Sequence, residues 1–332
     1  MRLVQFKAED GSRKVGLISQ DGVSLRVLRE ATSTYELAQE ASRSQVMLER
    51  LVMDHVSDNV VNYDRVVSEN RLLPPLDHPD PAHCYVSGTG LNHLGSAMAR
   101  DAMHAKLGAE PSTLTDSMKM FKLGLEGGKP EKGKVGAQPE WFYKGDGDCI
   151  VPPGLPLQLP SFALDGGEEA EIVGLYVIGR SGAVFRAGFA LGNEFSDHVL
   201  ERQNYLYLAH SKLRTCSIGP ELLIGRLPDS ISGSVRVLRG NVEVWKDTFL
   251  TGEANMSHSI ANIEHHHFKY PDFRRPGDVH YHFFGAAKLS FSAGIVARPG
   301  DIFEISAPPF GRPLRNQLVA GRVDGLVEVQ PL

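Results

Sequence analysis

The chain has 332 residues, 42% of them hydrophobic and 23% charged, with a formal net charge of −5. That is ample for a buried core and ordinary for a globular protein. The acidic balance lacks the basic excess that marks general nucleic-acid binders. No stretch approaches the roughly 18 apolar residues of a membrane span, and the N-terminus lacks a signal-peptide core.

Residues 1–75 form a small first module. Leu3–Phe6 and Lys14–Ile18 are expected strands around the turn Glu9-Asp10-Gly11-Ser12, and a helix opens near Thr34 with Ser33 or Thr34 as its cap. The run Leu73-Pro74-Pro75-Leu76-Asp77-His78-Pro79-Asp80-Pro81 discourages helix and central strand, so a boundary is set there and residues 76–332 are taken as the main domain. Cys84–Gly88 reads as a strand entering a Gly-rich turn. Leu91–Leu107 could carry a helix, and residues 108–140 read as a long surface excursion. From Trp141 onward short β-type runs recur between Gly and Pro signals, which predicts a mostly β architecture. Three cysteines far apart in sequence, Cys84, Cys149 and Cys216, argue for a reducing compartment, taken as the cytoplasm, rather than a disulfide framework.

The most informative segment is Glu168-Glu169-Ala170-Glu171 followed by the apolar run Ile172–Ile178. Glu169 and Glu171 are two apart, so on a strand they share a face. Gly179-Arg180-Ser181-Gly182 is a turn signal, and Ala183–Leu191 is the return strand. Folding about Arg180/Ser181 sets 171 opposite 190, 169 opposite 192 and 167 opposite 194. Glu194 then falls on the face of Glu169 and Glu171. Three convergent carboxylates repel one another unless a cation joins them, and hard oxygen ligands suit Mg²⁺, with Mn²⁺ or Ca²⁺ as alternatives.

These residues resemble the metal motif of the fumarylacetoacetate hydrolase superfamily, with Gly188-Phe189-Ala190-Leu191-Gly192-Asn193-Glu194-Phe195-Ser196 matching its acidic segment and Glu194 in place of an Asp. Trp141-Phe142-Tyr143-Lys144, Cys216-Ser217-Ile218-Gly219-Pro220 and Pro299-Gly300-Asp301 resemble further family segments in the same order, so the resemblance covers about residues 83–320. It implies an α+β, mostly β fold, a mixed β-sandwich roll with a small N-terminal domain, and a homodimer. Gly90-Leu91-Asn92-His93-Leu94-Gly95-Ser96 departs from the hydrolases: His93 replaces a Tyr, and Ser96 stands where their water-activating His belongs. Gly285-Ala286-Ala287 lacks the usual Thr. The sequence is closer to the sugar-acid branch.

The resemblance therefore implies a lyase that dehydrates a 2-keto-3-deoxy-pentonate to 2-oxoglutarate semialdehyde. A C–C hydrolase of acylpyruvate-type substrates is the alternative, and a non-catalytic sugar-acid binding protein the third reading. The ligand in each case is a small acid, with neither nucleic acid nor membrane as partner. Glu169, Glu171 and Glu194 are the expected metal ligands. Lys144, then Lys212, then His93 are the expected catalytic groups, because a desolvated lysine beside a cation suits proton transfer. Ser96, Asn193 and Ser290 are the expected substrate contacts. His265-His266-His267, taken as strand, would point to alternate faces and could not all bind one ion. Cys216 reads as a buried small apolar residue.

Overall fold

A computed structural model describes residues 1–93, 115–323 and 325–332. The first module contributes strands β1 (Arg2–Lys7), β2 (Arg13–Ile18), β3 (Ser24–Leu28) and β4 (Val56–Asn62), with helices α1 (Thr34–Ser44), α2 (Leu48–His55) and α3 (Tyr63–Ser68). Ser33 caps α1 by accepting from the Glu36 N–H, as its position predicts. The proline-rich run is tied to this module. Gln5 donates to the Pro74 carbonyl at 2.6 Å and to Asp77 at 3.0 Å, and accepts from the Thr34 N–H at 2.8 Å.

The main part adds β5 (Cys84–Gly88), α4 (Asp116–Gly127), β6 (Phe142–Gly145), β7 (Ile150–Val151), β8 (Leu157–Leu159), β9 (Ala170–Ile178) and β10 (Val184–Asn193). Helices α5 (His198–Gln203) and α6 (Leu208–Lys212) follow, then β11 (Cys216–Ile218), β12 (Leu222–Leu223), β13 (Ile231–Arg239) and β14 (Val242–Thr251). The chain ends with α7 (Ile260–Phe268), β15 (Val279–Phe283), β16 (Asp301–Ser306) and β17 (Leu314–Ala320). Twelve strands form one mixed sheet, ordered β4-β3-β2-β1-β12-β10-β9-β15-β5-β6, with β11 and β7 beside β10. Five form a second, β14-β13-β16-β17-β8. The first module therefore joins the large sheet edge-on, through β1 against β12.

Strand β9 is buried along its whole length. Ala170 and Ile172 pack toward the second sheet with Phe189, Leu191, Val235 and Ile305. Val173, Leu175 and Val177 pack on the other face, under Leu37, Ala38, Leu51 and Val52 of α1 and α2. The result is the expected mostly β, α+β sandwich. Among the described residues, no helix is long and apolar enough to cross a membrane.

Two expectations are corrected. Part of the stretch taken as surface excursion is helix α4, capped by Thr115, with Phe121 buried against Leu91. The His265–His267 run lies on helix α7, not on a strand. Ser259 caps it, and Ile260, Ile263, His267 and Phe268 recur at helical spacing and are buried. The expected helix at Leu91–Leu107 falls almost wholly outside the described residues.

Candidate metal centre and active site

The hairpin β9–β10 sets the three carboxylates. Burial of Ala170 and Ile172 toward the second sheet forces Glu169 and Glu171 onto the opposite face. The turn centres half a residue later than its sequence suggests, which moves every partner by one and sets Val184 opposite Ile178, and β10 carries one extra residue between Arg186 and Gly188. Gly192 thus faces Glu171, and the Glu194 N–H donates to the Glu169 carbonyl at 3.0 Å. Glu194 stands across from Glu169 rather than from Gly167. The two one-residue shifts add to two, so the shared face survives although the expected partners do not.

One carboxylate oxygen from each of Glu169, Glu171 and Glu194 lies within 4.8 Å of the others, and all three residues are buried. Two lysines close the cluster. Lys212 Nζ, at the end of α6, donates to Glu169 Oε1 and Glu194 Oε2, each at 2.5 Å, and to Ser196 Oγ at 3.2 Å. Lys144 Nζ, on β6, donates to Glu194 Oε1 at 2.6 Å and to the carbonyls of Phe195 at 2.6 Å and Lys212 at 3.0 Å. Lys212 also sits 5.0 Å from the Phe142 ring centroid. His198 Nε2 lies 3.1 Å from Glu169 Oε1, with Asp165 at 3.7 Å from its other nitrogen.

The charges are unevenly neutralised. Burial works to raise Glu169, but Lys212 and His198 outweigh it and hold its carboxyl well below the usual range. Burial raises Glu194 in spite of both lysines. Glu171 is pushed well above its ordinary value by burial and by the facing Glu194 and Glu169. Its one backbone donor is the Gly285 N–H at 2.7 Å. Gly285 has φ +98°, and a Cβ there would lie 2.8 Å from the Thr89 carbonyl, so glycine is required to aim that N–H. Burial opposes a charge on His198, yet Asp165 and Glu169 hold its pKa up at about 10.

The donor set fits a hard divalent cation. Six oxygens around Mg²⁺ at about 2.1 Å lie about 3–4 Å from one another, so the triad need close only slightly. Such a cation would replace Lys212 as the shared positive partner of Glu169 and Glu194.

The remaining expected site residues fall at different places. The Asn193 Oδ1 accepts from the Glu169 N–H at 3.2 Å, and its buried Nδ2 has no partner among the described residues. Ser290 holds Glu168, accepting nothing from the triad: its N–H and hydroxyl donate to the two Glu168 oxygens at 2.8 and 2.7 Å. His93 is buried, with Nε2 3.1 Å from Thr251 Oγ1 and Nδ1 unpartnered among the described residues, and burial lowers its pKa to about 4. Ser96 lies outside the described residues. Sequence reasoning missed Ser196, His198 and Gly285. The first two follow Glu194 within four residues, and the polar run Ser196-Asp197-His198 just past Glu194 was the available signal.

No protein-family model matches the sequence, and no curated protein matches it by sequence search. Solved structures do match. A 2-keto-3-deoxyarabinonate dehydratase superposes with TM-score 0.71 at 18% identity, over 97% of this chain and 100% of the other. A 2-keto-3-deoxy-D-arabinonate dehydratase complexed with magnesium and 2,5-dioxopentanoate gives 0.69 at 18%, with the same coverage. A 2-hydroxyhepta-2,4-diene-1,7-dioate isomerase from Mycobacterium marinum gives 0.57 at 16%, over 96% and 98%. Over nearly its whole length, this chain has the fold those enzymes share.

Proposed function

We propose that this chain is a magnesium-dependent sugar-acid dehydratase of the fumarylacetoacetate hydrolase superfamily, converting a 2-keto-3-deoxy-pentonate to 2-oxoglutarate semialdehyde. The observation that carries the reading is the buried triad Glu169, Glu171 and Glu194 braced by two buried lysines. A dehydratase fold-mate that binds magnesium and 2,5-dioxopentanoate, the same compound as the proposed product, supports it.

Glu169, Glu171 and Glu194 would hold the cation. When bound, it supplies Lewis acidity that favours loss of a proton next to a keto group. The lysines divide the remaining work. Two of the three Lys144 donors go to backbone carbonyls, one of them that of Lys212. Lys144 is therefore anchored and positions the α6 terminus. Lys212 Nζ donates to side-chain oxygens of Glu169, Glu194 and Ser196, the first two of them proposed ligands of the cation. Lys212 Nζ thus stands at the proposed cation's own ligands, and we assign it the proton transfer from C3. The unpartnered Nδ2 of Asn193 can orient a carboxylate or keto oxygen of the ligand. His93 is neutral at pH 7, and its Nδ1, without a partner among the described residues, can meet a ligand hydroxyl.

The test is incubation of Mg²⁺-loaded and EDTA-treated protein with racemic 2-keto-3-deoxy-pentonate, following 2-oxoglutarate semialdehyde through a coupled NAD(P)-linked dehydrogenase. Metal-dependent product is expected. Metal-dependent cleavage of an acylpyruvate instead, with no semialdehyde, would move the protein to the C–C hydrolases.

A further inference from the structure

The three cysteines, distant in sequence, meet in one place behind the carboxylate site. Cys84 on β5 and Cys216 on β11 are buried in the main core, and half-buried Cys149 packs against them from the turn before β7. Strand β11 runs parallel to β7 with Cys216 opposite Ile150, the residue after Cys149. Paired strands lie about 4.8 Å apart and rise about 3.3 Å per residue, so the diagonal from Cys149 to Cys216 is about 6 Å between Cα atoms, inside the range of roughly 4.4–6.8 Å that a disulfide spans. Cys149 closes a short 3₁₀ turn, so strand alternation does not turn its side chain away. Gly145 leaves room for it: a Cβ there would lie 3.2 Å from the Cys149 sulfur. Burial, then contact with the Cys149 thiol, push the Cys216 thiol up. The buried Tyr281 hydroxyl has no hydrogen-bond partner among the described residues and lies among the same thiols, with burial and then Cys84, Asp77, Cys216 and Cys149 raising it.

We infer that Cys149 and Cys216 form an oxidisable dithiol, a reversible modification site that ties together the two segments carrying Lys144 and Lys212. Cys149, the accessible member, reacts with hydrogen peroxide to give a sulfenic acid and one water. The Cys216 sulfur then attacks that sulfur, forming the disulfide and releasing a second water. Two thiols are thereby oxidised by two electrons as the peroxide bond is reduced. The link has a direct route to the site. Cys149 lies five residues after Lys144 and Cys216 four after Lys212, and the charges of Lys144 and Glu194 both act on Cys216. This coupling rests on the proposed metal site; the thiol pair itself does not.

The experiment treats the reduced full chain with hydrogen peroxide, caps remaining thiols with iodoacetamide and maps peptides by mass. The expected result is a Cys149–Cys216 linked peptide with Cys84 capped, reversed by dithiothreitol and absent in both Cys149→Ser and Cys216→Ala. Mn²⁺ binding, followed by the paramagnetic resonance of the free ion, is expected to weaken about tenfold on oxidation, the scale typical when groups supporting a ligand shift. Three capped cysteines, a Cys84–Cys149 link or sulfinic acid at Cys149 would each overturn the pair. A correct link with unchanged Mn²⁺ binding would overturn the coupling. Failure of the reduced protein to bind Mn²⁺ would refute the metal reading, and the coupling with it, while leaving the mapped link to stand on its own.

Discussion

Glu168, Glu169 and Glu171 lie within four residues, yet the strand gives them different tasks. Glu168 is spent on the backbone and hydroxyl of Ser290, whereas Glu169 and Glu171 face Glu194. Replacing Glu171 by Gln removes the negative charge of a proposed ligand and keeps the volume. It should weaken Mn²⁺ binding by at least about 100-fold, since even supporting residues are worth about 10–100-fold. Glu168→Gln should stay within about tenfold of wild type by the same titration calorimetry, because its partner is Ser290 rather than the cation. Equal losses in the two variants would mean that a general change in buried charge, not ligation, is being measured. Lys212→Met separates binding from chemistry. Turnover should fall by about 10²-fold or more, the usual scale for a proton-transfer group, while Mn²⁺ affinity holds or rises because a competing ammonium has gone. A parallel loss of metal affinity would show that Lys212 supports the triad instead of competing for it.

At the level of elements, the hairpin shows why the site was legible and its register was not. Strand parity alone places Glu169 and Glu171 together, and the turn signal brings Glu194 to their side. The bulge before Gly188 and the later turn depend on how β10 meets β12 and β9, which no local pattern announces. Helix α7 was misread for a related reason. Three adjacent histidines drew attention from the 3.6-residue spacing of Ile260, Ile263 and His267, which is what decides the element. The site also depends on a loop that lends it no carboxylate or lysine. Gly285 holds a left-handed conformation so that its N–H reaches Glu171. Gly285→Ala should cost about 1–3 kcal/mol of stability from backbone strain and weaken Mn²⁺ binding as well. Denaturant unfolding with and without the ion would read both, and a variant as stable and as tightly metal-binding as wild type would show that the loop does not set Glu171.

Across the whole molecule, the sequence conveyed the mostly β character, because that follows from local chemistry. It did not convey that the first module extends the same large sheet through β1 and β12, since that pairing joins residues more than two hundred apart. The same long-range assembly buries an unusual set of neutral histidines. Trp141 Nε1 donates to His267 Nδ1 at 3.2 Å, and His267 Nε2 lies 3.0 Å from His280 Nδ1. The Trp141 bond leaves His267 with its proton on Nε2, which then donates to His280. An added proton on either ring would break this chain. Burial lowers His267 to about 3 and His93 to about 4, and puts His280 and His282 well below their ordinary value. The sign follows from linkage: between these folded values and the unfolded value of about 6.5, the unfolded chain binds more protons than the native one. Their stabilisation is therefore complete above about pH 6.5 and is lost as the pH falls toward 4, at about 1.4 kcal/mol per pH unit for each fully depressed histidine. Urea unfolding of the EDTA-treated protein at pH 7.5, 6.5, 5.5 and 4.5 should show stability falling ever more steeply below 6.5. His267→Gln should be less stable at pH 7.5 yet lose less on acidification. A wild-type profile flat down to pH 4.5 would mean that these rings take up protons without disturbing the fold, and that the chain from Trp141 to His280 does not hold α7 against the sheet.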